Sequence, residues 1–232
     1  MNIFAISDLH LSGSVDKPMH IFGSNWDGHW ANIKKNWTES ISGDDVVVVP
    51  GDISWAMNMQ EAYQDIQDLA ALPGKKLIIK GNHDFWWSSI TKVRSILPES
   101  IHAIQNDAIR INGFVFAGTR GWSVPGMQAL SREDEKIYLR ESQRLQLSLR
   151  DAKKIMQPGD KLVVMMHYPP FSMELKSSLF TEILEQVIPN IVVYGHLHGV
   201  SEDRVYDGML RGVRYRMTSC DYIGFSPVLL DV

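Results

Sequence analysis

Short, uninterrupted apolar runs recur along the chain, and each stops at a turn-forming or ligand-type residue. Segments 3–6, 46–49, 77–79, 162–166 and 191–194 are rich in β-branched residues. Such continuous apolar runs predict strands covered on both faces. Between them the spacing predicts helices over 26–42, 59–71, 85–97, 131–156 and 175–187. The longest has Ser131 three residues before Asp134, a capping-box spacing with Asp where Glu or Gln is usual, and it stops before Pro158 and Gly159. Its expected buried stripe is Ile137, Leu145, Leu149 and Met156. Alternating strands and helices predict an α/β fold, whose crossovers leave ligand sites beyond the carboxyl ends of the strands. Two segments break the alternation. Residues 109–117 carry an Asn112-Gly113 hairpin signal, and 204–232 reads as several short strands around Gly208 and Gly212, so a second, partly antiparallel sheet is expected. Residues 121–130 read as a loop bordering the cleft.

Composition narrows the class. With 232 residues, 44% of them hydrophobic, and no linker-like stretch, the expectation is one domain over 1–232. The net charge of -4, from 23 basic and 27 acidic side chains without a like-charged block, leaves no footprint for non-specific nucleic-acid binding. The lone cysteine, Cys220, has no partner for an internal disulfide. No charged leader or bilayer-length apolar run is seen, so a cytoplasmic protein without a membrane partner is expected. Oligomeric state is not readable from these features.

The chemistry lies where the apolar runs end. Asp8 and His10 are two apart, a spacing that on an extended segment turns both side chains to one side. Asp52 follows Gly51 at the tip of the next run, and its two oxygens suit a bridge between cations. Asn82 offers a neutral amide oxygen, followed by His83 and Asp84. His196 and His198 repeat the two-residue spacing, and His167 ends the 162–166 run. Taken singly, each histidine would pass for a core or surface residue. Mixed imidazole and carboxylate ligation suits Mn, Fe or Zn better than the all-oxygen shells of Ca or Mg.

In order, Asp8-Leu9-His10, Gly51-Asp52, Gly81-Asn82-His83-Asp84, His167 and Gly195-His196-Leu197-His198 resemble the motif set of the calcineurin-like metallophosphoesterase superfamily. The Asp84 that ends the third block is similar to bacterial members of the class III cyclic-nucleotide-phosphodiesterase type rather than to protein Ser/Thr phosphatases. The resemblance implies a four-layer α/β/β/α sandwich of two mixed β-sheets flanked by helices, the metallo-dependent phosphatase fold. It implies two divalent transition-metal ions, one held by Asp8, His10, Asp52 and His198, the other by Asp52, Asn82, His167 and His196, with Asp52 bridging. It also implies that His83 faces the substrate as general acid or phosphate contact, with Asp84 orienting it. A carboxylate beside His83 is expected to favour its imidazolium form.

Beyond the motifs, Arg120, leaving a strand between Gly118 and Gly121, is a candidate fork for a substrate phosphate. Seven tryptophans, several flanking the motifs, offer stacking surfaces or core. His20, His29 and His102 read as ordinary polar residues, and Asp44, Asp45 and Asp107 as turn formers. The expected activity is hydrolysis of a small phosphomonoester or phosphodiester by a bridging water or hydroxide. A metal-dependent nuclease is the alternative within enzymes, and a non-catalytic scaffold is the alternative of another class.

Overall fold

The computed structural model describes residues 1–127 and 129–232, with Asp203 described by its backbone alone. The first half builds β1 (Ile3–Ala5), α1 (His29–Ser40), β2 (Val46–Val49), α2 (Met59–Ala70), β3 (Lys75–Ile78), α3 (Ile90–Ile96) and β4 (Ile101–Ala103). The second builds β5 (Ala108–Ile111), β6 (Phe114–Thr119), α4 (Arg132–Ile155), β7 (Lys161–Met166), α5 (Leu179–Val187), β8 (Ile191–Tyr194), β9 (Gly208–Leu210), β10 (Val213–Met217) and β11 (Val228–Leu229). One sheet has the order β11-β1-β2-β3-β4, the other β5-β6-β7-β8-β10-β9. Both are mixed: the interior pairs are parallel, while β11, β5 and β9 run antiparallel at the edges.

Side-chain alternation explains why these strands are apolar throughout. Ile3, Ala5, Val46, Val48 and Leu77 of the first sheet meet Phe116, Val163, Met165, Ile191 and Val193 of the second in one buried layer. The opposite faces go under helices. Phe4, Val47, Val49 and Ile78 pack with Ile33, Trp37, Ile66 and Leu69, whereas Val115, Val164, Met166, Val192 and Tyr194 pack with Leu145, Leu149, Phe180 and Leu184. A strand between two layers has no solvent face, and burying each such side chain is worth about 1.5–3 kcal/mol. The result is the four-layer α/β/β/α sandwich of two mixed sheets.

Several local expectations hold and others shift. Asn112 and Gly113 both have positive φ, 46° and 83°, in the two-residue turn between Ile111 and Phe114, the geometry that matches hairpin twist. Ser131 and Asp134 form a reciprocal capping box. The 26–42 segment becomes helical only from His29, after Gly28 at φ 64°. The 85–97 segment starts at Ile90, where the Ser89 side chain caps the amide of Lys92. On α4, Leu145 and Leu149 are buried, but Ile137 and Met156 are only half-buried, and the buried face also holds Tyr138, Glu141, Ser148 and Ala152. Polar residues sit there because they serve β6 and its end: Ser148 accepts from the Gly118 amide at 2.9 Å, and Glu141 accepts from Thr119. In the 121–130 loop Val124 packs into the core, and Gln128 lies outside the described residues. Among the described residues no helix is long and apolar enough to cross a membrane.

Candidate metal centre

Five loops leaving the ends of β1, β2, β3, β7 and β8 converge, and main-chain hydrogen bonds brace them. Asp8 N donates to Gly51 O at 3.0 Å, His10 N to Asp52 O at 3.0 Å, and Gly195 N to His167 O at 3.1 Å. Glycines let two of the loops touch. Gly51 has φ 88°, and a Cβ there would lie 2.7 Å from Gly81 Cα, while a Cβ on Gly81 would collide with Asp52. Asp8, His10, Asp52 and His196 all adopt positive φ, at 61°, 47°, 52° and 74°. For L-residues this costs about 1–2 kcal/mol each, a strain that clusters at functional sites. The same-side placement of Asp8 and His10 therefore arises differently from the extended geometry expected: left-handed backbone on either side of Leu9 does it.

Among the described residues two groups of side chains come together, buried Asp8 and His10 with half-buried His198, and buried Asp8, Asp52 and His167. His198 Nε2 lies 3.3 Å from Asp8 Oδ1 and 3.3 Å from His10 Nε2. His167 Nε2 lies 3.4 Å from Asp52 Oδ2 and 2.6 Å from Asn82 Oδ1. Asp52 Oδ2 also stands 3.8 Å from His10 Nε2, so it faces both groups. His196 donates its amide to Asp8, at 3.1 and 3.0 Å, while its ring rests on Tyr168 with centroids 3.9 Å apart and 5.1 Å from His167.

The donor chemistry fits cations. A neutral imidazole carries one N–H, and His167 spends its Nδ1–H on the Pro50 carbonyl at 3.0 Å. Its Nε2 lone pair then faces the Asn82 and Asp52 oxygens, an assembly of acceptors that needs a positive centre. Burial lowers the His167 and His196 pKa to about 4 and about 3, and holds His10 well below its ordinary value. These rings are therefore neutral at neutral pH, the ligating form. Burial works to raise the Asp8 carboxyl, yet His198, His167 and His10 beside it hold it well below the usual carboxylate range. Asp52 is pushed well above that range by burial and by the Asp8 and Asp84 charges. Asp8, Asp52 and Asp84 are thus three carboxylates crowded into a buried site, where ionising all of them costs free energy unless a cation joins them. For His198, burial favours the neutral ring, but Asp8 and Asp221 overcome it and raise the pKa to about 10.

His83 borders a cavity of about 370 Å³ that His10, His198, Trp26, Trp55 and Phe22 also line. Its ring is 5.7 Å from His10 and 4.4 Å from Trp55. Two expectations about this residue change. Burial outweighs the Asp84 and Asp8 charges, so its pKa falls below its ordinary value rather than rising. Asp84 does not hold the His83 ring: its carboxylate accepts from the amides of Gly81, Asp52, Ile53 and Ser54 at 2.7–3.2 Å and from Trp86 Nε1 at 2.9 Å. Every strong acceptor direction is taken, so Asp84 ties the Gly81 loop to the Asp52 loop and reaches His83 only through its field.

Arg120 supports the centre through its main chain, its carbonyl accepting from His167 N and Tyr168 N at 3.1 and 2.9 Å. Its guanidinium instead lies over the Trp122 ring, 4.5 Å from the centroid, pairs with Glu141, and lines a different cavity. Among the tryptophans, Trp26 and Trp55 wall the cleft, Trp37 fills the core, and Trp86 and Trp122 donate to Asp84 and Asp134. Asp45 serves a turn, as expected, accepting from Ser42 N and also from Asn2 N.

Several contributors carry no motif. Asp221 accepts from His198 Nδ1–H at 2.8 Å and from Gly199 N at 2.9 Å. Ser7 and Ser219 donate to Asp8 Oδ2 at 2.5 and 3.0 Å, and His29 sits 3.0 Å from the Leu9 carbonyl. Ser219 and Asp221 follow β10, whose approach to β1 no spacing in the sequence announces.

A family model described as calcineurin-like phosphoesterase matches residues 1–200. No curated protein matches the sequence significantly. Among solved structures, the chain is similar to a protein of unknown function from Aquifex aeolicus, with TM-score 0.52 and 16% identity over 98% of this chain and 95% of that one. It is also similar to a phosphopantetheinyl hydrolase from Mycobacterium tuberculosis, with TM-score 0.53 and 13% identity over 99% and 95%. At these identities the likeness is one of fold.

Proposed function

The chain belongs to the calcineurin-like phosphoesterase family and is a metal-dependent phosphoester hydrolase; on that premise we propose that it uses two divalent transition-metal ions to hydrolyse a small phosphomonoester or phosphodiester. The observation that carries the reading is the convergence of ligand atoms, His167 Nε2, Asn82 Oδ1 and Asp52 Oδ2 on one side and His10 Nε2, His198 Nε2 and Asp8 Oδ1 on the other, with His198 giving up a proton to ligate. Asp8, His10, Asp52 and His198 would hold one ion, and Asp52, Asn82, His167 and His196 the other, with His196 turning off Tyr168 to do so. Mn, Fe or Zn suits this donor set. When bound, such ions polarise the phosphoryl group and supply a nucleophilic hydroxide at neutral pH.

The chain's own residues do the rest. Asp84 and the paired glycines hold Asp52 at the junction of two loops. Pro50 and Asp221 fix the ring orientations of His167 and His198, as partners of ligating imidazoles do. His83 faces the leaving group and donates to its oxygen. Its lowered pKa makes the neutral ring, with one N–H, the prevailing donor near neutral pH and the imidazolium the donor in more acidic solution. The wall of Trp26, Trp55 and Phe22 favours a planar or apolar leaving group over a sugar.

A panel of phosphomonoesters, cyclic and linear dinucleotides, aryl phosphate diesters and single-stranded nucleic acid, with Mn supplied, tests the proposal. Turnover of at least one small ester, abolished by chelator and restored by Mn, is expected. A folded protein that neither retains nor rebinds a transition metal would replace this reading by the scaffold.

A further inference from the structure

Beside the metal centre lies a second cavity of about 210 Å³, lined at its charged side by Lys80, Arg120, Arg140, Arg144 and Glu141. Its volume is more than ten times the roughly 10–15 Å³ that one water needs. The residues reach it from four places: Lys80 just beyond β3, Gln105 and Asn106 after β4, Arg120 after β6, and the last three from one face of α4.

The charges here do not balance. Glu141 is the one carboxylate lining the cavity among the described residues, and it is already shared. Its Oε1 meets Arg144 at 2.9 Å, Arg120 at 3.4 Å and Arg140 at 3.8 Å, and its Oε2 accepts from Thr119 Oγ1 at 2.8 Å. Among the described residues Lys80 donates only to the Trp87 carbonyl, at 3.1 Å. Four cations therefore face one anion in a chain whose net charge is -4. Such an excess of like charge costs free energy unless an anion enters to offset it. Guanidinium forks suit oxyanions of the phosphate class, which accept bidentate hydrogen bonds.

We infer that this cavity is an oxyanion-binding site, distinct from the metal centre, that takes a phosphate group through Arg120, Arg144 and Lys80. The inference does not depend on the hydrolytic reading, because it concerns binding alone. Two sources supply the same chemistry: a second phosphate on the substrate, or a free phosphate acting as effector.

Titration of the metal-loaded protein with inorganic phosphate, followed by calorimetry, should give two phases, one from each site. Arg144→Gln should weaken the second phase about tenfold, the loss of one charge-assisted hydrogen bond. Glu141→Gln, which removes the competing carboxylate while keeping its shape, should tighten it several-fold, an effect of opposite sign that a purely structural ion-pair network would not produce. Arg140→Gln, at a largely exposed side chain, serves if Glu141→Gln fails to fold, and should weaken the second phase about twofold to threefold. A raised KM in Arg144→Gln for an ester bearing a second phosphate, with the matched monophosphate ester unchanged, assigns the anion to the substrate. Equal KM values with the weakened second phase assign it to a free effector. A single-phase isotherm, or a second phase that none of these variants moves, overturns the inference.

Discussion

The metal centre and the basic cavity lie side by side at the same end of the sandwich, yet they are built in opposite ways. The centre gathers carboxylates and imidazoles on short side chains whose positions are set by backbone: four residues at positive φ, two glycines in mutual contact, and Asp84 binding four amides. The cavity gathers excess positive charge on long side chains, two of them, Arg140 and Arg144, from one regular helix. Rigid short donors suit a cation, whose coordination tolerates little displacement, while flexible forks suit a larger anion. With cations held at the centre, both neighbouring sites would attract the phosphates of a ligand that carries more than one.

The largest expected effect breaks the centre and spares the cavity. Asp52→Asn removes the carboxylate facing both ligand groups, and should abolish retention of one ion and lower turnover by about 10³-fold or more, while the phosphate phase assigned to the cavity persists. Metal content and steady-state rates on the same preparation check it. His83→Ala should keep metal content but slow esters with poor leaving groups by about 10²–10⁴-fold. Equal losses for good and poor leaving groups would leave His83 as a phosphate contact rather than a proton donor.

Asp221→Asn sharpens the comparison by loosening one ligand without removing it, and a drop in metal affinity of about 10–100-fold is expected, measured by competition with a chromophoric chelator. The pH response of the same measurement follows from sign. His198 is raised to about 10 in the metal-free protein, and its protonated ring cannot ligate, so affinity should climb as pH rises toward that value. In Asp221→Asn the Asp221 contribution to that raised value is gone, and the climb should finish at lower pH. An unchanged profile would mean that His198 does not give up a proton on metal binding. Smallest of all should be the effect of Arg144→Gln on hydrolysis of a simple aryl phosphate, where no change in kcat is expected.

Much of the centre was legible because ligand chemistry is local. Asp8, His10, Asp52, Asn82, His167, His196 and His198 each follow an apolar run, and a strand covered on both faces leads its next residues to the sheet end without further instruction. The hairpin at Asn112-Gly113 and the capping box at Ser131 were readable for the same reason, since both depend on residues a few positions apart. Sequence alone points the His83 pKa the wrong way because a neighbouring carboxylate is visible in it, whereas burial is not.

What tertiary structure alone decided are the long-range assignments. Asp84 sits next to His83 in the chain but spends its oxygens on amides about thirty residues away. Arg120 leaves its strand where a substrate phosphate was expected, yet its guanidinium is drawn aside by Glu141 and the Trp122 ring. Asp221 and Ser219 reach the centre because β10 lies beside β8 and the strand ends of the two sheets meet. Local pattern thus determined which residues stand at the strand ends and their ligand type. Which of their polar atoms remained free for chemistry depended on partners that only packing brings within hydrogen-bond range.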